Sequence, residues 1–254
     1  MSAEGKYIYC IMKSNGSSKR FGPLGIGGRG DELYTICSGD ISAVVSDSPV
    51  KKYSISRENL FTHECAIEEV MKAHTVLPVR FCTIAEDEGK VKKILEKEHD
   101  RFIDLLKYME GKRELGLKAI FEGDAIYKDI LANYDEIRME KERISKNPTT
   151  ANAHQKLMQI GKMVEAAMEK ERAKYKEDIL KSLQPLALKV KLNSTYGERM
   201  IINAAFLVEG AMEASFDRSV SELDAGYGDK IKIKYVGFLP PFNFVNVTIN
   251  IGEY

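Results

Sequence analysis

The sequence predicts an α+β protein of two domains. Short alternating strands come before helices in the first third of the chain, and the stretch after residue 111 reads β-α-β-β-α-β in order. The last residues, "YVGFLPPFNFVNVTINI" at 235–251, form an apolar ribbon patterned for docking, where chain ends usually fray. The predicted boundaries are 1–110 for an N-terminal α+β domain, 111–239 for a second domain carrying a helical insertion near 123–155, and 240–254 for a tail that docks as an extended segment.

Within the first domain, 6–12 (KYIYCIM) alternates as a strand. Two more β-prone runs, 33–38 and 41–46, are joined by Gly39-Asp40, a hairpin signal. Ser56 can cap a helix with Glu58 in its first turn, and Leu60, Ile67, Val70 and Met71 recur at helical spacing. The run "TVLPVRFCTI" is β-rich but holds Pro78, which predicts an edge strand or one broken by a bulge. A second helix is predicted from about Asp87, with Val91, Ile94, Leu95, Phe102, Leu105, Leu106 and Met109 on one stripe.

In the second domain, Leu115, Leu117, Ala119 and Phe121 share one side of a strand, 188–193 alternates, and 200–209 is apolar nearly throughout. A helix over about 212–225 precedes a last alternating strand at 231–235, which completes the order of a ferredoxin-like sandwich. The first crossover holds two helical segments where one suffices. Ile130, Tyr134, Ile137 and Ile144, then Leu157, Ile160, Val164 and Ala167, have the spacing of two antiparallel helices meeting along a narrow seam, with "SKNPTTANA" as the loop between them. The insertion should project as a charged helical hairpin.

Helices cover one face of such a sandwich, so its other face needs a cover wherever it is apolar. Residues 200–209 offer Ile202, Ala204, Phe206 and Val208 to one side and Ile201, Ala205 and Leu207 to the other. The tail is a candidate cover, because Val245, Val247, Ile249 and Ile251 point one way and Asn246, Thr248 and Asn250 the other. The first domain or another protein is the competing cover.

Composition narrows the function. The 254 residues carry 38 basic and 38 acidic side chains, so no net field draws the molecule to nucleic acid or an anionic membrane, and 44% hydrophobic content is enough for a buried core. No stretch approaches the roughly 18 apolar residues of a membrane span, and 1–16 lacks a signal-peptide pattern, which predicts a cytoplasmic protein. Cys10, Cys37, Cys65 and Cys82 form no C-x-x-C pair and are expected as reduced, packed thiols.

"GPLGIGGRG" at 22–30 lacks the Gly-Lys-Ser/Thr of a phosphate loop and reads as a mobile connection between strands. His63 and Cys65 lie two apart on a helix and so point in nearly opposite directions, which predicts a buried thiol beside a surface or capping histidine. Arg80 is a basic residue inside an apolar run and requires a buried partner or an exposed edge. No catalytic constellation, cofactor site or metal site emerges.

Four motifs together carry a resemblance: "FGPLGIGG" at 21–28, "HTVLPVRFCTI" at 74–84, "YGERMIINAAFLV" at 196–208 and "YVGFLPPFNFV" at 235–245. Their order over nearly the whole chain resembles the GvpF/GvpL family of gas vesicle accessory proteins. Cys82 departs from the pattern, which places a Gly after the Phe of "LPVRF". The resemblance implies two α+β domains, the second a modified ferredoxin-like one, no enzymatic activity and no cofactor. It further implies a protein associated with gas vesicles and needed for their assembly, binding the apolar shell protein GvpA and other accessory proteins.

A shell subunit with a very apolar face must be shielded before assembly, and an exposed β edge or apolar sheet surface can shield it. The candidate partner-binding residues are Val76, Leu77, Val79, Arg80 and Phe81 on the edge, and Phe242, Phe244, Val245 and Val247 on the ribbon. If the ribbon stays docked, the edge or the helical hairpin becomes the contact. Two alternatives stay open: a structural minor component of the vesicle wall, and a small-molecule-binding α+β domain that uses Arg80, His74 and Cys82.

Overall fold

β1 (Glu4–Lys13) is the strand around which the first part of the chain is built: Tyr7, Ile8, Tyr9, Cys10, Ile11 and Met12 are all buried. It has neighbours on both edges and apolar cover on both faces. β2 (Tyr34–Ser38) and β3 (Ile41–Pro49) form the hairpin signalled by Gly39-Asp40, with Gly39 at φ 60, and β3 pairs antiparallel with β1. α1 (Arg57–Met71) starts at Ser56, whose side chain accepts a hydrogen bond from the Asn59 amide. β4 (Val76–Pro78) and β5 (Ile84–Ala85) then pair with one edge of β1, giving the order β2-β3-β1-β4 with β5 also on β1. The computed structural model describes residues 4–146 and 153–253.

Strict alternation along β1 fails at one place, for a local reason. The register against β3 runs Ile8 to Val45 and then Cys10 to Val44, so Tyr9 is an extra residue in a β-bulge. The bulge lets Tyr7, Tyr9, Cys10 and Met12 all enter one core cluster, with Ala66, Ile67 and Val70 of α1. A flat strand would have sent the odd and even positions to opposite faces.

The helix predicted from Asp87 is two. α2 (Glu88–Lys97) is capped by the Asp87 side chain on the Lys90 amide, and α3 (His99–Met109) follows a break at Glu98. Their stripe nevertheless turns inward as one, with Val91, Ile94, Leu95, Phe102, Leu106 and Met109 buried and Leu105 only half-buried.

The chain divides into two compact units, Met1–Glu114 with Phe238–Tyr254, and Leu115–Gly237. The tail therefore belongs with the first unit. The hydrogen bonds described below tie it to Glu114 and Arg101 of the first unit.

β6 (Lys112–Phe121) starts in the first unit and continues into the second from Leu115, leading to α4 (Ala125–Asn133), α5 (Asp135–Lys146) and α6 (Ala153–Leu183), then to β7 (Lys189–Leu192) and β8 (Met200–Glu209). α7 (Glu213–Tyr227) and β9 (Ile231–Leu239) complete it, and the sheet order is β7-β8-β6-β9. Leu115, Leu117, Ala119 and Phe121 join Ile202, Ala204, Phe206 and Val208 in one core, where Phe206 meets Phe216 of α7 at 5.0 Å between ring centroids. Ile201 joins the same core, and Ala205 and Leu207 on the other side of β8 are buried too.

α5 and α6 run antiparallel, since the Tyr134 hydroxyl donates to Glu171 at 3.0 Å while Ile144, ten residues on, faces Leu157. The insertion is split at Tyr134 (φ −116, ψ 87), which ends α4. Part of the predicted loop, 147–152, lies outside the described residues.

Candidate functional site

The edge and the ribbon, predicted as separate surfaces, are brought together. Val79 forms a parallel bridge with Val247, so the tail lies along the outer side of the β4 edge. A Pro240-Pro241 bend starts the return: the Phe244 and Val245 amides both donate to the Pro241 carbonyl, at 3.1 and 2.8 Å. Glu114, 2% exposed, then clamps the bend, accepting from the Asn243 backbone amide at 3.0 Å and from its side-chain amide at 2.6 Å. Arg101 donates to the Asn246 carbonyl at 3.2 Å, and Val245, Val247 and Ile249 are buried. The burial alternates as the sequence predicts over 245–250, although among the described residues of the tail only Val247 makes a strand bridge.

Of the predicted contact residues, Val76, Leu77, Val79, Val245 and Val247 are buried, Phe81 and Phe244 are half-buried, and Arg80 and Phe242 are exposed. The buried five are closed to a partner in this conformation. Arg80 takes the exposed-edge option, and its carbonyl accepts from the Thr83 hydroxyl at 2.8 Å.

His63 is the residue that sequence reasoning misplaced. It is buried and Cys65 is half-buried, the reverse of the prediction, because α1 packs through His63, Ala66, Ile67 and Val70 while Leu60 stays 42% exposed. The signal was available: His63 precedes Ile67 and Val70 by four and seven residues. Its Nε2–H donates to the Val79 carbonyl at 3.1 Å, which leaves Nδ1 to accept from the Tyr7 hydroxyl at 3.1 Å; that hydroxyl accepts from the Cys82 amide at 2.8 Å. Burial drives the His63 pKa down to about 4 against the pull of the Val79 carbonyl, so the ring is neutral. The exposed Phe242 ring lies 6.2 Å from it. Burial likewise pushes the Tyr7 hydroxyl far above its ordinary range.

Cys82 adopts φ 65, the left-handed region that favours glycine, and its Sγ accepts from the Tyr53 amide at 3.3 Å. The Gly-rich loop is tied down rather than loose: the Ile26 amide donates to the Tyr9 hydroxyl at 2.7 Å, and Ile26 and Leu33 are fully buried.

The residues of a possible small-molecule site keep different company. His74 Nε2 accepts from Lys19 at 3.2 Å and its ring meets Phe21, while Cys82 faces Tyr53; burial and the Lys19 charge hold the His74 pKa down. Among the described residues no group of three or more His, Cys, Asp or Glu could hold a metal, and no helix is long and apolar enough to cross a membrane.

With the edge occupied, a second apolar feature lies in the insertion. The predicted seam closes in part, with Ile130, Ile137 and Ala167 buried and Ile160 and Val164 packed against them, and it opens into a cleft of about 470 Å³ between α4, α5 and α6, walled by Ile130, Ile137, Ile144, Leu157, Ile160 and Val164. The break at Tyr134 makes α4 a third wall, where the sequence pattern counted two.

This pairing of an α+β unit closed by its own tail with a second unit bearing a helical insertion defines an α+β fold that has known counterparts. A family model described as "Gas vesicle synthesis protein GvpL/GvpF" matches residues 5–246, and the chain belongs to that family. It is 26% identical to gas vesicle protein F of Dolichospermum flosaquae over 205 residues, 80% of this chain and 82% of that one. Over 239 residues it is 26% identical to gas vesicle protein F of a Streptomyces strain, covering 94% and 98% of the two chains. The crystal structure of GvpF from Anabaena sp. PCC7120 superposes with a TM-score of 0.79 at 23% identity, covering 98% of this chain and all of that one. GvpF from Microcystis aeruginosa gives 0.72, with 96% and 99% covered. Both structures share the mixed helix-and-sheet fold.

Proposed function

We propose that this chain is a non-enzymatic, cytoplasmic accessory protein of gas vesicle assembly that binds the shell protein GvpA, and other accessory proteins, through exposed apolar surface. The family match over residues 5–246 carries the gas vesicle role. The docked tail supports the mode of binding: with Val79 and Val247 bridged, the β4 edge is not free to template a strand, and the helical insertion is left as the contact. The edge and ribbon residues become a second contact only where the tail lifts. We also assign the second unit to the ferredoxin-like class, supported by the β-α-β-β-α-β sequence of its elements and the β7-β8-β6-β9 order.

Capture of the shell protein by the full chain tests this. Capture should survive deletion of 242–254 and fall when the insertion wall is changed by Ile160→Asp. A wild-type chain that captures neither GvpA nor any accessory protein, under conditions where vesicles form, removes the proposal. Retention in washed vesicles would instead mark a wall component.

A further inference from the structure

The cleft between α4, α5 and α6 has chemistry that selects among occupants. Its volume of about 470 Å³ falls in the ~300–1,000 Å³ range of binding clefts. Ile137 and Ile144 on one wall are seven residues apart, as are Leu157 and Val164 on the facing wall, so each wall presents about two turns, ~10 Å. An apolar stripe at i, i+3 or i+4, and i+7 of a partner helix has the same length. A partner strand does not fit, because the walls are helices whose backbone groups are already bonded within themselves. Leu157 is 55% exposed at the rim, so the cleft as it stands leaves apolar surface in water.

Charge supplies the second criterion. On α5, Arg138 pairs with Asp135 and Arg143 with Glu140, both within the helix. Lys141 is the charged residue among those lining the cleft, and among the described residues it has no ion pair. An ammonium beside an apolar trough is complemented by a carboxylate at the margin of an apolar stripe.

We propose that this cleft receives one amphipathic helix of a partner protein, with its apolar stripe between Ile137 and Ile160 and an acidic side chain on Lys141. The inference rests on the assembly reading for the partner's biological identity and on the cleft alone for its chemistry.

The test uses the full-length chain with labelled isoleucine methyls and two probes. One is a 14-residue Leu/Ala amphipathic peptide with a Glu beside its stripe, and the other carries Lys in its place. The Glu peptide should shift the Ile137, Ile144 and Ile160 methyls and bind about five- to tenfold tighter than the Lys peptide, an order that Lys141→Glu should invert. Equal affinity of the two peptides, or shifts confined to other methyls, overturns the proposal. So does sodium dodecanoate moving these methyls while neither peptide does, which would make the cleft a fatty-acid site. If the peptides fail while the wild-type chain still captures shell protein, the cleft inference falls and the assembly reading stands; if the peptides behave as stated and capture fails, the reverse holds.

Discussion

Replacing Asn243 by Ala isolates what the buried carboxylate contributes to tail closure. The substitution deletes the 2.6 Å bond from the side-chain amide to Glu114 and keeps the 3.0 Å bond from the backbone amide. A hydrogen bond to a charged group is worth about 1.5–3 kcal/mol, and Glu114 is too enclosed for water to replace the lost donor fully. With a factor of ten for each 1.4 kcal/mol, the open fraction of the tail should rise about 10- to 150-fold. Val245, Val247 and Ile249 remain buried, so the tail still closes and the molecule keeps its secondary structure. The change is therefore read kinetically. Limited proteolysis within 242–254 should speed up by that factor when reclosing outpaces cleavage, and hydrogen exchange at the Val245 amide should accelerate alongside. Cleavage within twofold of wild type would show that the clamp does not hold the tail.

Acidification should destabilise the first unit through His63. Its folded pKa of about 4 lies below the ordinary 6.5, so the unfolded chain binds more protons, and the stability present above pH 6.5 is lost as pH falls toward 4, by up to about 3 kcal/mol. Denaturation followed by near-UV circular dichroism at pH 7 and 4.5 should show a smaller difference for His63→Gln than for wild type; equal differences would refute the assignment. Tyr7→Phe removes the hydroxyl shared by His63 Nδ1 and the Cys82 amide, and should lower stability by about 1–3 kcal/mol as a buried ring nitrogen and a part-buried amide lose a partner, measured by urea midpoint. Cys82→Gly should change stability by less than about 1 kcal/mol, relief of left-handed strain offsetting the lost sulfur contact and the added chain entropy, whereas Cys82→Val should cost about 2 kcal/mol more than Cys82→Gly. The reverse order of midpoints would show that the left-handed backbone does not govern this site.

What the sequence made legible is what short-range periodicity encodes. The strands at 6–12 and 41–46, the Ser56 and Asp87 caps, the inward set from Leu115 to Phe121 and the alternation of Val245, Val247 and Ile249 each depend on neighbours a few residues away. The parts that stayed hidden depend on distant partners. Nothing in the stripe from Val91 to Met109 marks the break at Glu98, since neither Gly nor Pro interrupts the helix there. The Tyr9 bulge appears only once β3 supplies the register. The destination of the tail was undecidable for the same reason: an alternating ribbon fits any apolar sheet or edge, and it is Glu114, 129 residues before Asn243, that selects this one. At Cys82 the positive φ marks a position where glycine is the easier residue, while this chain keeps a sulfur in contact with Tyr53.

Under the proposed assembly role, the closed edge and the open cleft bear on one problem, how to hold an apolar subunit without self-association. A bare β edge offers unpaired amides and carbonyls to any strand, including that of a second copy of itself, and its use for capture would invite uncontrolled stacking. The tail removes that hazard by occupying the edge at Val79, at the cost of making the buried valines unavailable. A helical cleft has no such liability, because its backbone is satisfied internally and it discriminates through side-chain shape and the charge of Lys141. Opening the tail should therefore increase self-association before it increases partner capture. Sedimentation of Asn243→Ala across a concentration series separates the two: concentration-dependent growth with unchanged capture fits an edge that the tail protects, and stronger capture without growth would make the edge itself the binding surface.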